Sequence, residues 1–99
     1  MRKQIHPDIE SVELSTVLYA LSDPVRLEIT KWLAEHPDQT CGDIPVDVAD
    51  STKSYHLKIL RESGVINMSA EGKNRFVTLR KDDFKKRFPG LLSSILEAI

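Results

Sequence analysis

The sequence predicts a single mainly α domain that carries one β-hairpin, which is an α+β fold. Its length of 99 residues fits one compact domain. Several stretches have the spacing of helices with one apolar face, and two short β-branched runs flank a turn sequence. The apolar share of 40 % and the charged share of 29 % are ordinary for a globular chain and argue against disorder.

Two amphipathic helices are predicted in the first third of the chain. Residues 9–21 carry apolar side chains at helical spacing, namely Leu14, Val17, Leu18 and Leu21. Asp23 and Pro24 then indicate the start of a second helix, because aspartate accepts from free N–H groups and proline has none to leave unpaired. This helix should end near residues 36–37. Its apolar face consists of Val25, Ile29, Trp32 and Leu33.

The middle of the chain predicts a short helix followed by a longer one with a polar face. Thr40 can cap the short helix, but Gly42 and Pro45 weaken it, so we expect little more than a turn or two. Residues 50–52 are Asp, Ser and Thr, which are helix-capping residue types. The helix that they begin should end at the residue before Gly64.

A β-hairpin is predicted next. Residues 65–69 and 75–79 are rich in β-branched and apolar types, and residues 71–74 between them read Glu-Gly-Lys-Asn, a typical turn composition.

Two further helices follow the hairpin. Asp82 or Asp83 can cap a short helix that ends near Arg87, and Pro89 begins a last helix.

That last helix has more apolar residues than the exposed end of a short chain should carry, so we expect it to form a homodimer interface together with the first helix. The residues expected there are Leu14, Leu18, Leu91, Leu92, Ile95, Leu96 and Ile99. The alternative is that the last helix folds back on its own domain.

This α-α-α-α-β-β-α order is typical of a winged helix-turn-helix domain. In such a domain the second helix of the motif, here residues 51–63, enters the DNA major groove, which is about 12 Å wide. The hairpin beside it can reach the neighbouring phosphates.

The charge distribution favours double-stranded DNA as a partner, although the net charge is only −1. Residues 1–50 hold four basic and ten acidic residues, a net −6, whereas residues 51–87 hold ten basic and four acidic residues, a net +6. Glu97 completes the total. Such asymmetry indicates a polyanion-binding surface; the alternative is two oppositely charged faces that are merely solvated.

Two segments resemble the ArsR/SmtB-type winged-helix repressors. Residues 21–29 are similar to the family's "DPxRLxIL" opening, and residues 51–66 are similar to its "STxSxHLKxLxxAGLV" recognition helix. The resemblance implies a homodimeric bacterial transcription factor, usually a repressor that a ligand releases from its operator. Lys53 departs from the pattern, which commonly has a small aliphatic residue there. Its stem is expected along the apolar face, with its ammonium group in solvent or on a phosphate.

The expected DNA contacts lie at the exposed N-terminal part of the predicted recognition helix and at the hairpin tip. They are Ser51, Thr52, Lys53, Ser54, Tyr55, His56, Lys58, Lys73, Asn74 and Arg75. A solvated surface is the alternative for this set, and a buried, hydrogen-bonded position is equally open for His56. Arg26, which belongs to the resembled motif, is expected to form a structural ion pair.

Nothing in the sequence favours catalysis or a cofactor, since no nucleophile elbow or phosphate-binding glycine loop is present. No metal site is expected either. One metal site of the resembled family uses a Cys-x-Cys pair, but here Cys41 is followed by Gly42 and Asp43. The family's other site needs histidine and acidic ligands on the last helix, where Glu97 is the only ionisable side chain.

The single cysteine is consistent with a reducing, cytoplasmic compartment. No apolar stretch approaches the roughly 20 residues needed to span a bilayer, and no apolar run follows the basic N-terminal residues, so neither a membrane partner nor a secretory signal is expected. Two alternatives stay open: a winged-helix module that docks on protein, and a redox-responsive repressor that uses Cys41. The sequence does not name an inducer.

Overall fold

The computed structural model describes residues 2–3 and 6–99, with side chains from His6 onward. Its helices are α1 (Leu14–Ala20), α2 (Pro24–Glu35), α3 (Asp50–Glu62), α4 (Lys81–Arg87) and α5 (Leu91–Ala98). Its strands are β1 (Arg2–Lys3), β2 (Gln39–Thr40), β3 (Ile66–Glu71) and β4 (Asn74–Leu79). The N-terminal segment, in which no secretory signal is expected, includes Met1, Gln4 and Ile5. These three residues lie outside the described residues.

The strands form one antiparallel sheet in the order β1-β3-β4-β2. The predicted hairpin is confirmed as β3 and β4, with Glu71 opposite Asn74. Gly72 has a φ of 61°, the left-handed conformation that a two-residue hairpin turn requires and that glycine adopts without steric cost.

The α+β winged fold is as predicted, but the first helix is shorter than expected, and the third is at the short end of the turn or two that was predicted. Residues 9–11 form a single 3-10 turn, and α1 begins only at Leu14. The predicted short third helix is one 3-10 turn, Cys41–Asp43, after which residues 44–49 run without helix. The Asp43 carboxylate fixes the start of this turn by accepting from the Thr40 backbone N–H at 3.1 Å and from its hydroxyl at 2.8 Å.

The capping residues predicted for the later helices prove to be different ones. Ala49 is the N-cap of α3, and no side chain of the 50–52 cluster caps it. Arg80, and neither Asp82 nor Asp83, is the N-cap of α4. The two aspartates lie instead in its first turn, where negative charge favours the helix dipole. By contrast Asp23 caps α2 as predicted, accepting from the N–H groups of Val25 at 2.8 Å and Arg26 at 3.1 Å.

A single apolar core joins the helices to the hairpin of β3 and β4, which we call the wing. Its fully buried side chains come from α1, α2, α3, α4 and the hairpin, and include Val17, Ile29, Leu33, Leu60, Ile66, Val77 and Phe84. Helix α5 adds Leu92, which is buried within its own chain. The C-terminal helix therefore does fold back in part on its own domain. None of the helices in the described part of the chain is both long and apolar enough to cross a membrane.

Candidate nucleic-acid interface

Helix α3 presents an apolar face to the core and a polar face to solvent. Leu57 and Leu60 are buried against the domain. On the other side five side chains are exposed; together we call them the recognition face. They are Ser51, Thr52, Ser54, Tyr55 and Lys58. All five were predicted from the sequence as DNA contacts, and the structure brings them together at the N-terminal end and middle of one helix.

The hairpin places a second polar surface beside this face. Lys73, Asn74 and Arg75 are exposed at the turn between β3 and β4, and we call them the wing tip. A cleft of about 250 Å³ separates α3 from the wing and is lined by Ser54 on one side and Arg75 on the other. The recognition face and the wing tip therefore border the same cleft.

Lys53 lies apart from the recognition face although it belongs to the same helix. Its ammonium group donates to the carbonyl oxygens of Cys41 at 2.9 Å and Ile44 at 3.5 Å. The expected position of its ammonium group was solvent or a phosphate, whereas the structure shows that group hydrogen-bonded inside the chain. Lys53 thus connects α3 to the 3-10 turn that takes the place of the predicted third helix.

His56 is also withdrawn from the surface. It is 7 % exposed, and its Nδ1 lies 3.2 Å from Nη1 of Arg26. Of the two positions left open by the sequence, the structure shows the buried, hydrogen-bonded one. Arg26 makes no ion pair with a carboxylate among the described residues, contrary to expectation; its other partners are the carbonyl oxygens of Ala20 and Tyr19. This pairing could not be predicted from the sequence, since thirty positions separate the two residues.

The cap of α2 lies beside the same pair, because Oδ1 of Asp23 is 4.0 Å from Nδ1 of His56. Partial burial acts to raise the pKa of Asp23. The N–H groups of Arg26 and Val25, with the nearby charge of Arg26, outweigh it and lower that pKa from 3.8. Asp23 is therefore held in the ionised form that caps best.

Cys41 lines the cleft between α3 and the wing and is half-buried. Burial raises the pKa of its thiol from 9.0, although the charges of Arg75 and Lys53 oppose that shift. A raised pKa means less of the reactive thiolate. Within the described part of the chain, no cluster of three or more His, Cys, Asp or Glu residues could hold a metal ion.

A second candidate surface lies at the two ends of the chain. Leu14 on α1 is 47 % exposed, Leu18 is 48 % exposed and Ile99 is 42 % exposed, while Leu91, Ile95 and Leu96 are half-buried. Leu92 differs, because its own domain already covers it. Tyr19, which was not predicted here, is 58 % exposed next to Leu18.

Comparison with known proteins identifies the family. The model of bacterial regulatory proteins of the arsR family matches residues 23–68, which hold the α2 cap, α3 and the start of the wing. YceK of Bacillus subtilis, an uncharacterized HTH-type transcriptional regulator, is 33 % identical over 82 residues, covering 80 % of this chain and 82 % of YceK. The chain belongs to the ArsR family.

The solved structures agree with this ArsR assignment. The crystal structure of an ArsR family transcriptional regulator matches with a TM-score of 0.68 at 25 % sequence identity, over 86 % of this chain and 88 % of the other. The resemblance inferred from residues 21–29 and 51–66 is confirmed, and so is the winged helix-turn-helix fold. This ArsR protein is a DNA-binding transcriptional regulator, and its family is one of regulators rather than enzymes.

Proposed function

We propose that this ArsR protein is a homodimeric repressor that binds a near-palindromic operator, with α3 in the major groove and the wing tip on the flanking DNA. One observation carries the proposal: Ser54 of the recognition face and Arg75 of the wing tip line the same cleft, and the other members of both surfaces are exposed. Both surfaces belong to the segment of residues 51–87, whose net charge is +6.

The residue types suit those roles. The hydroxyl groups of Ser51, Thr52 and Ser54 can bond base edges or phosphates, and the exposed ring of Tyr55 can contact a thymine methyl group. The side chain of Lys58 makes no hydrogen bond or ion pair with any other described residue, so its ammonium group is available to a phosphate. Lys73 and Arg75 at the wing tip fit the backbone or the minor groove beside the operator half-site.

The dimer rests on the exposed apolar side chains of α1 and α5. Fully covering a leucine or isoleucine side chain contributes roughly 1.5–3 kcal/mol, and Leu14, Leu18 and Ile99 are each only about half covered by their own chain. A second copy of the same surface covers them most simply, because a two-fold interface is self-complementary. Two copies of α3 would then be spaced by about one DNA turn, roughly 34 Å. We place this regulator in the cytoplasm, consistent with its single cysteine.

DNA binding is tested by a gel-shift titration on the region upstream of the protein's own gene. We expect a complex that survives competitor DNA and weakens steeply with salt, because bound lysine and arginine side chains release counterions from DNA. A reporter driven by that region should rise when the gene is deleted. If no competitor-resistant complex forms, the proposal is wrong; if a complex forms but deletion lowers transcription, the protein is an activator.

Dimerisation is tested by light scattering at micromolar concentration on three proteins. The intact chain should be a dimer, Leu18→Glu should be a monomer, and Ser15→Glu should remain a dimer. Ser15 is the matched control because it is also exposed on α1 but is polar. A monomeric intact chain, or equal behaviour of the two variants, would contradict the proposed interface.

A further inference from the structure

The guanidinium group of Arg26 holds three elements together beneath the recognition face. It is 5 % exposed on α2, and its Nε donates to the Ala20 carbonyl oxygen at 2.6 Å, at the end of α1. Its Nη1 reaches across to Nδ1 of His56 on α3 at 3.2 Å. Helices α1, α2 and α3 are therefore joined at one buried cation.

This contact fixes the orientation of the His56 ring. A guanidinium group has donors and no acceptor, so Nδ1 of His56 accepts this hydrogen bond. A ring held by its Nδ1 and buried on α3 has little freedom to turn.

The fixed ring in turn contacts a member of the recognition face. The ring centroids of Tyr55 and His56 are 5.7 Å apart, with their planes inclined at 61°, an edge-to-face arrangement. Tyr55 is 51 % exposed and makes no hydrogen bond with any other described residue. The His56 ring is consequently a contact that restricts where the phenol ring can point.

We propose that His56 is a positioning residue: held by Arg26, its ring sets the direction of Tyr55 and so determines which base pair the recognition face prefers. This inference rests on the proposed binding of DNA through α3. It assigns to two buried residues a role in sequence preference, although neither touches DNA.

Two substitutions separate this role from a purely structural one. His56→Gln keeps an amide oxygen that can accept from Arg26 but lacks the ring. His56→Phe keeps a ring next to Tyr55 but leaves Nη1 of Arg26 without its acceptor. Each is made alone and together with Tyr55→Ala. The measurements are the melting temperature, the affinity for non-specific DNA, and the affinities for the operator and its single-base-pair variants.

We expect the two variants to behave in opposite ways. His56→Gln should melt near the wild type but lose about 2- to 12-fold of its discrimination at the base pair that Tyr55→Ala identifies, the factor expected for loss of one aromatic contact. Its non-specific affinity should not change, and it should add nothing to Tyr55→Ala. His56→Phe should melt lower but discriminate within about twofold of the wild type, since its ring still limits Tyr55.

Several results would overturn the inference. His56→Gln could retain full discrimination, it could have the same effect with and without the Tyr55 ring, or both variants could lose stability and discrimination together. If His56→Gln does not fold, His56→Asn offers the same amide oxygen and takes its place. Absence of specific binding by the wild type is seen before any variant is made, and it would refute the proposed function itself.

Discussion

Replacing Lys53 with methionine separates its role inside the chain from the DNA contact predicted from the sequence. Methionine keeps an unbranched stem of similar length but removes the ammonium group that donates to the carbonyl oxygens of Cys41 and Ile44. A hydrogen bond to a charged group contributes about 1.5–3 kcal/mol. One of the two distances is long and the site is only partly buried, so we expect the loss to be about 1–2 kcal/mol.

That loss should lower the melting temperature by roughly 4–16 °C, since 1 kcal/mol shifts a domain of this size by about 4–8 °C. The slope of the logarithm of DNA affinity against the logarithm of salt concentration should stay the same, because the Lys53 charge is not available to a phosphate. Both quantities are measured on the same preparation, by calorimetry and by a fluorescence titration of operator DNA.

Lys58→Met is the matched control on the same helix. Lys58 is exposed, so its replacement should change the free energy of unfolding by less than about 0.5 kcal/mol. It should weaken binding to all DNA sequences and reduce the salt slope by about one. If Lys53→Met instead leaves the melting temperature unchanged and reduces the salt slope by about one, the internal role assigned to Lys53 is refuted.

Three further substitutions test the fold and the sensing role. Asp23→Ala should lower the free energy of unfolding in urea by about 1 kcal/mol at pH 7. Because the pKa of Asp23 in the folded protein lies below 3.8, the wild type should lose this extra stability as the pH falls through that lowered pKa. A stability difference between the two proteins that stays constant down to pH 2 would contradict this reasoning. Gly64→Ala should lower the free energy of unfolding by at least about 1 kcal/mol, because the φ of Gly64 is +82° and the new Cβ would lie 3.1 Å from Cγ2 of Val12. An unchanged midpoint of urea unfolding would refute this reasoning. Cys41→Ser, excess zinc and chelator should each change operator affinity by less than about tenfold, and a larger change would show a metal or thiol response that we do not expect.

The parts of the fold that could be predicted are those that depend on local signals. Asp23 followed by Pro24 marks a helix start whatever the rest of the chain does, and the Glu-Gly-Lys-Asn sequence marks a hairpin turn. The helical spacing of Leu57 and Leu60 on α3 was enough to predict which of its side chains are exposed. The family could be predicted from residues 21–29 and 51–66.

The sequence was least informative where a long-range contact decides between options that are locally similar. Either Asp82 or Asp83 could cap α4, but Asp83 instead accepts from Nε of Arg80 at 3.0 Å, and Arg80 also donates to the Pro7 carbonyl oxygen at 2.9 Å. His56 was undecided because its partner Arg26 lies on another helix. Lys53 resembled a DNA contact because no sequence pattern reports that two carbonyl oxygens lie within its reach.

The reduced third helix and the two internal polar contacts of α3 are parts of one arrangement. A full helix before α3 would hold its N-terminal half through apolar side chains, but the 3-10 turn of Cys41–Asp43 contributes no buried residue. Lys53 connects that turn to α3, and His56 connects α3 to Arg26 one turn of helix later. Hydrogen bonds are directional whereas apolar contacts are not, so these two side chains fix the rotation of α3 about its own axis. In the proposed complex, that rotation decides which side chains of the recognition face reach the bases, so hydrogen bonds inside the chain help to set the orientation of the proposed recognition helix.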